Sequence, residues 1–151
     1  MDLKLKNIEI SKYTNLIIAL LLVYFLFFGY ICNIYKKDVG LNLIFLNRIL
    51  IGKNTYFSIF ILIGIISLLN LREHFFENGI KYSIWLVPFT ILISWIWYWF
   101  IYGFDITIIG IYFASIEGYF TILLLIGINI ITAILISFLK LSYKQYIGKK
   151  E

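Results

Sequence analysis

The chain has 151 residues, of which 62% are hydrophobic and only 14% charged, against about 25% charged residues in an ordinary soluble domain. That balance excludes a water-soluble globular protein and points to an integral membrane protein whose first partner is the lipid bilayer. The net charge of +5 does not imply nucleic acid as a partner, because the lysines and arginines flank the apolar segments and gather at the C-terminus, as they do when a membrane protein orients itself against the cytoplasmic leaflet.

The opening stretch MDLKLKNIEISKY places Lys4, Lys6 and Lys12 ahead of an apolar run over residues 16–31. The run is long for a secretory leader and no small-residue cleavage site follows it, so it predicts a retained anchor helix. The first span is expected over about 14–34, closed by Lys36, Lys37 and Asp38. Cys32, the single cysteine, excludes an intramolecular disulfide, and large neighbours (Tyr30, Ile31) stand where a lipidation signal requires small ones. Residues 40–54, GLNLIFLNRILIGKN, are too short to cross and contain Arg48, which predicts an interfacial helix. A second span is expected over about 56–71, with Arg72 closing it.

Residues 72–85, REHFFENGIKYSIW, read as a short turn in which Asn78-Gly79 reverses the chain, with a third helix starting near Ser83. The third span, about 84–102, is uncharged and holds all four tryptophans, Trp85, Trp95, Trp97 and Trp99, as expected of an interfacial aromatic belt. Pro88 falls in its first turns, where a missing N–H costs least. Residues 103–118 carry Asp105 and Glu117 between Gly103 and Gly118 and predict a connecting loop with a partly inserted middle. The last span, about 119–139, runs out into Lys140, Lys144, Lys149 and Lys150. The fold expected is thus an all-α integral membrane protein of about four transmembrane helices forming one membrane domain over 1–151. Of the 13 lysines and arginines, nine then fall on the side of the termini and four in the first loop, which predicts both termini in the cytoplasm and residence in the cell membrane.

A second architecture competes. In IKYSIWL, residues 80–86, Ile80, Tyr82, Ile84 and Leu86 alternate with Lys81, Ser83 and Trp85, the period of a strand. FENGI at 76–80 with Tyr82, then Val87-Pro88-Phe89, Ser94-Trp95 and Trp97, and a tail with Ile134-Leu135 and Phe138-Leu139-Lys140, resemble small two-span membrane proteins that carry a C-terminal pleckstrin-homology-like β domain. The resemblance covers residues 72–141 and implies a hairpin of two helices over 1–72 followed by that β domain over 73–151. The chain departs from the family in having Phe89 where Trp is common, and in lacking charge between Tyr82 and Leu139. In lipid, helices satisfy their own backbone while a small open sheet cannot, and this favours four helices.

Ionisable chemistry is sparse. His74 and Cys32 are single and fall near opposite faces of a four-span membrane, and no phosphate-binding, dinucleotide or zinc-protease motif occurs. Glu73, His74 and Glu77 form one ligand-type cluster, read as a solvated charge group beside the membrane. No catalytic residue, cofactor or metal is expected. Glu117, beside the last span, and Asn129 within it are the candidates for an ion path, since a charge in hydrocarbon costs at least ~2.5 kcal/mol and persists there for a reason. Gly118, Thr121, Asn129, Thr132 and Ala133 share one stripe of a helix at ~100° per residue, a candidate packing face. Two functions follow: a non-enzymatic accessory or structural subunit of a homo-oligomer or larger membrane complex, or an oligomeric small transporter or channel with Glu117 near its path.

Overall fold

In the computed structural model, which describes residues 13–53, 56–73 and 76–150, the chain is helical almost throughout, with no strand among the described residues. The first rod consists of α1 (Thr14–Leu22), a π-helical turn (Val23–Phe27) and α2 (Phe28–Tyr35). A 3₁₀ segment (Lys36–Leu43) and the short α3 (Leu46–Leu50) follow. Then come α4 (Phe57–Arg72), α5 (Phe76–Tyr102), the short α6 (Thr107–Ala114) and α7 (Ile116–Gly148). Three helical stretches, Thr14–Leu43, Phe76–Tyr102 and Ile116–Gly148, are long and apolar enough to cross a membrane. At 16 residues, α4 rises only about 24 Å, short of the ~30 Å of hydrocarbon.

The helices run up and down. At one end Asn15 meets Arg72 and Glu73, and Lys140 meets the carbonyls of Leu71 and Glu73. At the other, Tyr102 bonds the backbone of Lys37 and Gly40, and Arg48 meets Glu117. Helix α4 packs against α1, α5 and α7, and α5 against α7. Each long helix buries one stripe at helical period. On α5 it is Gly79, Tyr82, Ser83, Leu86, Val87, Thr90, Ile91, Ser94 and Trp95, a seam three or four residues apart throughout.

Several expectations are corrected here. The β domain is absent: the alternating stretch 80–86 lies inside α5, because a short apolar run fits either period and the surrounding helix decides. The chain does not reverse at Asn78-Gly79, which sit in the first turn of α5; α4 ends at Arg72 and α5 begins at Phe76. Helix α5 therefore starts at Phe76, not near Ser83, and Pro88 lies 12 residues into it, leaving the Ile84 carbonyl without its intrahelical donor. The third-span tryptophans are not one belt. Trp95 is a core residue, 7% exposed, and the Trp97 indole donates to the Tyr24 carbonyl inside the π-helical turn at 3.2 Å. Trp99 donates to the Asp105 carbonyl at 2.9 Å. Residues 103–118 are largely helical, as α6 and the first turn of α7, and residues 40–54 hold a 3₁₀ segment and α3 in place of one interfacial helix. Lys4, Lys6, Lys12 and His74, with the proposed Glu73–His74–Glu77 grouping, lie outside the described residues or depend on one that does.

Candidate functional site

A polar seam through the bundle starts where α4, α5 and α7 meet. Asn70, 3% exposed, donates from Nδ2 to the Ile66 carbonyl at 2.8 Å and to Ser83 Oγ at 3.0 Å. Ser83 Oγ in turn donates to the Gly79 carbonyl at 2.8 Å, and Asn129 Nδ2 donates to the Ser83 carbonyl at 2.8 Å. Three helices are thereby joined at one level by side chains of two amides and a serine. The approach of α4 to α5 is possible because residue 79 is glycine: a Cβ there would overlap Asn70 Oδ1 and stand 3.3 Å from its Cγ. In hydrocarbon such bonds have no water to compete with them, yet each contributes only about 0.6 kcal/mol on average.

Towards the opposite end the seam continues on α7. Thr121 Oγ1 lies 2.8 Å from both Asn47 Oδ1 and the Glu117 carbonyl, and its one proton serves one of them at a time. Glu117 Oε2 accepts from Arg48 Nε at 2.7 Å, with both side chains close to half exposed, so the pair itself contributes about 0–1 kcal/mol. The Arg48 guanidinium also lies 5.1 Å from the centre of the Phe45 ring. Ser115, extended at φ −94° and ψ 138°, caps α7 by accepting from the Glu117 N–H. Glu117 thus sits in the first turn of the helix, where a negative charge opposes the helix dipole. Before α6, the Thr107 hydroxyl and N–H donate to Asp105 Oδ1 at 2.6 and 2.9 Å, starting that helix and holding the carboxyl below the usual range.

The stripe of the last span is an inward face: Gly118, Thr121, Asn129, Thr132 and Ala133 are all buried, joined by Leu125 and Ser137. The two candidate path residues are on the same helix but in different surroundings, Glu117 half exposed at its start and Asn129 buried 12 residues on. The sequence does not single out Asn70, and it marks Gly79 and Ser83 only as a turn and a helix start, not as part of a polar seam. The signal was there: Gly79, Ser83, Thr90 and Ser94 recur at helical spacing, but the strand-like alternation of 80–86 obscures it.

Beside the seam is an apolar wedge of about 610 Å³ between α5, α6 and α7, with Pro88, Leu92, Trp95, Phe113 and Ile122 in its walls. Tyr112 and Trp95, both in its lining, meet edge to face at 5.5 Å, and Tyr112 stacks on Phe45 at 6.0 Å. Among the described residues neither Tyr112 Oη nor Trp95 Nε1 has a hydrogen-bond partner, and no cluster of histidine, cysteine and carboxylate suited to a metal is found.

The Asn129 contact yields a direct expectation. Asn129→Leu should lower stability in detergent by about 0.6 kcal/mol, and not beyond ~1.7 kcal/mol, whereas Leu123→Ala, at a position 68% exposed, should leave the melting temperature nearly unchanged. Equal losses from both would show that the amide does not tie α7 to α5.

Comparison with known proteins supplies no further assignment: no family model, curated protein or solved structure matches the chain.

Proposed function

We propose that this protein is a four-span integral membrane protein acting as a non-enzymatic accessory or structural subunit, with α4 as the short fourth span and both termini in the cytoplasm. The observation that carries the reading is that the two candidate path residues are engaged in the chain's own packing. Glu117 gives its N–H to the Ser115 cap and pairs with Arg48, and Asn129 ties α7 to the Ser83 carbonyl. The outer faces are aliphatic and aromatic, with Leu123, Ile131, Leu135 and Phe138 of α7 turned outward, a surface suited to lipid or to the helices of a larger membrane complex. The antiparallel order supports the orientation, since it gathers Arg72, Lys81, Lys140, Lys144, Lys149 and Lys150 at the end where Tyr13 lies. A bilayer thinned around α4, or its burial among the longer helices, accommodates the shortfall in its length.

Two experiments test these readings. Reporter fusions at residue 151 and in the loop at 103–106 are expected to place the first in the cytoplasm and the second outside; the reverse would invert the topology. For function, purified protein in liposomes is expected to pass no more protons or cations than empty vesicles. Flux that is present in the native protein and lost in Glu117→Gln would replace the accessory role with the alternative, an oligomeric transporter or channel with Glu117 near its path.

A further inference from the structure

A second cavity, of about 440 Å³, opens at the end of the bundle where Tyr13 and the end of α7 lie, between the end of α4, the start of α5 and the second half of α7. Its character changes along its length. Phe76, Ile134 and Phe138 form an apolar floor and are 55%, 46% and 64% exposed, while Ser137, Lys140 and Lys144 line it one turn apart on α7. Lys140 comes 24 residues after the start of α7 at Ile116, about 36 Å along the helix, so it emerges just past the ~30 Å of hydrocarbon, at the depth of lipid phosphates. Lys144 stands one turn further out.

From this arrangement we propose that the cavity binds an anionic phospholipid of the leaflet on the side of the termini. Its phosphodiester lies between the Lys140 and Lys144 ammonium groups and one acyl chain descends over Phe138 and Ile134. Charge complementarity selects this occupant. Lys140 is held in place by the carbonyls of Leu71 and Glu73, which leaves one of its three N–H donors for a phosphate oxygen. Neither lysine is in an ion pair among the described residues; the Glu73 carboxylate, which also lines the cavity, accepts from Asn15 Nδ2 at 3.0 Å, and the two lysines outnumber it. Cationic pockets between helices at the membrane surface bind lipid headgroups by this combination of fixed charge and apolar floor. The apolar floor selects a lipid over free phosphate, which has nothing to place there. The inference rests on the membrane-spanning reading but not on the accessory role, and the flux experiment above does not bear on it.

The test is native mass spectrometry of the full chain in detergent, titrated with phosphatidylglycerol or phosphatidylcholine of the same acyl composition. Phosphatidylglycerol is expected to stay bound where phosphatidylcholine does not. Lys140 also secures the end of α4, so Lys144→Gln, which breaks no hydrogen bond or ion pair among the described residues, is the deciding variant; it should weaken phosphatidylglycerol about fivefold. Lys149→Gln/Lys150→Gln, beyond the cavity, should change little, and inorganic phosphate at millimolar concentration should not displace the lipid. Equal retention of the two lipids, equal loss in both sets of variants, or displacement by phosphate would each overturn the proposal.

Discussion

Gly118→Ala is expected to cost about 2–3 kcal/mol, more than any other single methyl group added to this bundle. A Cβ at residue 118 would overlap the Tyr112 carbonyl oxygen and stand 3.0 Å from its carbon, and both are backbone atoms with no rotamer to escape through. Tyr112 cannot retreat either, being 0% exposed, stacked on Phe45 and packed edge to face on Trp95. Helix α6 would have to lift away from α7, straining the Ser115 cap and the Arg48–Glu117 pair with it. Thermal unfolding in detergent, followed by tryptophan fluorescence, should show a melting temperature lower by about 5–10 °C. Gly127→Ala is the control, since a Cβ there meets nothing within 4 Å and alanine is the better helix former. If the two variants melt together, the close approach at Gly118 does not exist.

The second large effect is expected from Gly79→Ala, and its signature is a coupling more than a size. The new methyl collides with the Asn70 amide, whose Nδ2 is engaged by the Ile66 carbonyl and Ser83 Oγ. Turning the amide aside gives up both bonds at a buried position, for a loss of about 1–2 kcal/mol. Asn70→Ala alone also destabilises, because it removes those bonds, but in the Gly79→Ala background it relieves the collision. The double variant should therefore be more stable than the sum of the two single losses predicts, by at least ~0.5 kcal/mol. Strict additivity in that cycle would mean that Gly79 and Asn70 do not meet.

Much of the fold follows from composition and length. Apolar runs of this extent must satisfy their own backbone in lipid, which makes them helices, and lysines bound the first rod and the last long apolar helix. The stripe of Gly118, Thr121, Asn129, Thr132 and Ala133 is likewise readable, because small and polar residues at helical spacing are the only marks on an otherwise uniform surface. The loops were harder. Asn78-Gly79 is a strong local turn signal, yet the tertiary structure uses its glycine as a place for α4 to approach α5, and a requirement set by Asn70 nine residues earlier cannot be seen in the dipeptide.

Only the folded chain decided the rest, for one physical reason. In a soluble protein the hydrophobic pattern separates inside from outside, but here leucine and isoleucine suit lipid and core equally, so the apolar residues do not say which face of α5 is buried or that Trp95 lies in the core while Trp85 faces outward. The pairing of Arg48 with Glu117 across 69 positions, the placing of Asn47 against Thr121 and the meeting of Lys140 with the end of α4 arise from helices that pack only after each has formed. By itself the sequence determined that the chain is helical and that its long helices are apolar enough to cross a bilayer; which polar groups find one another among them was decided by the packing of the bundle.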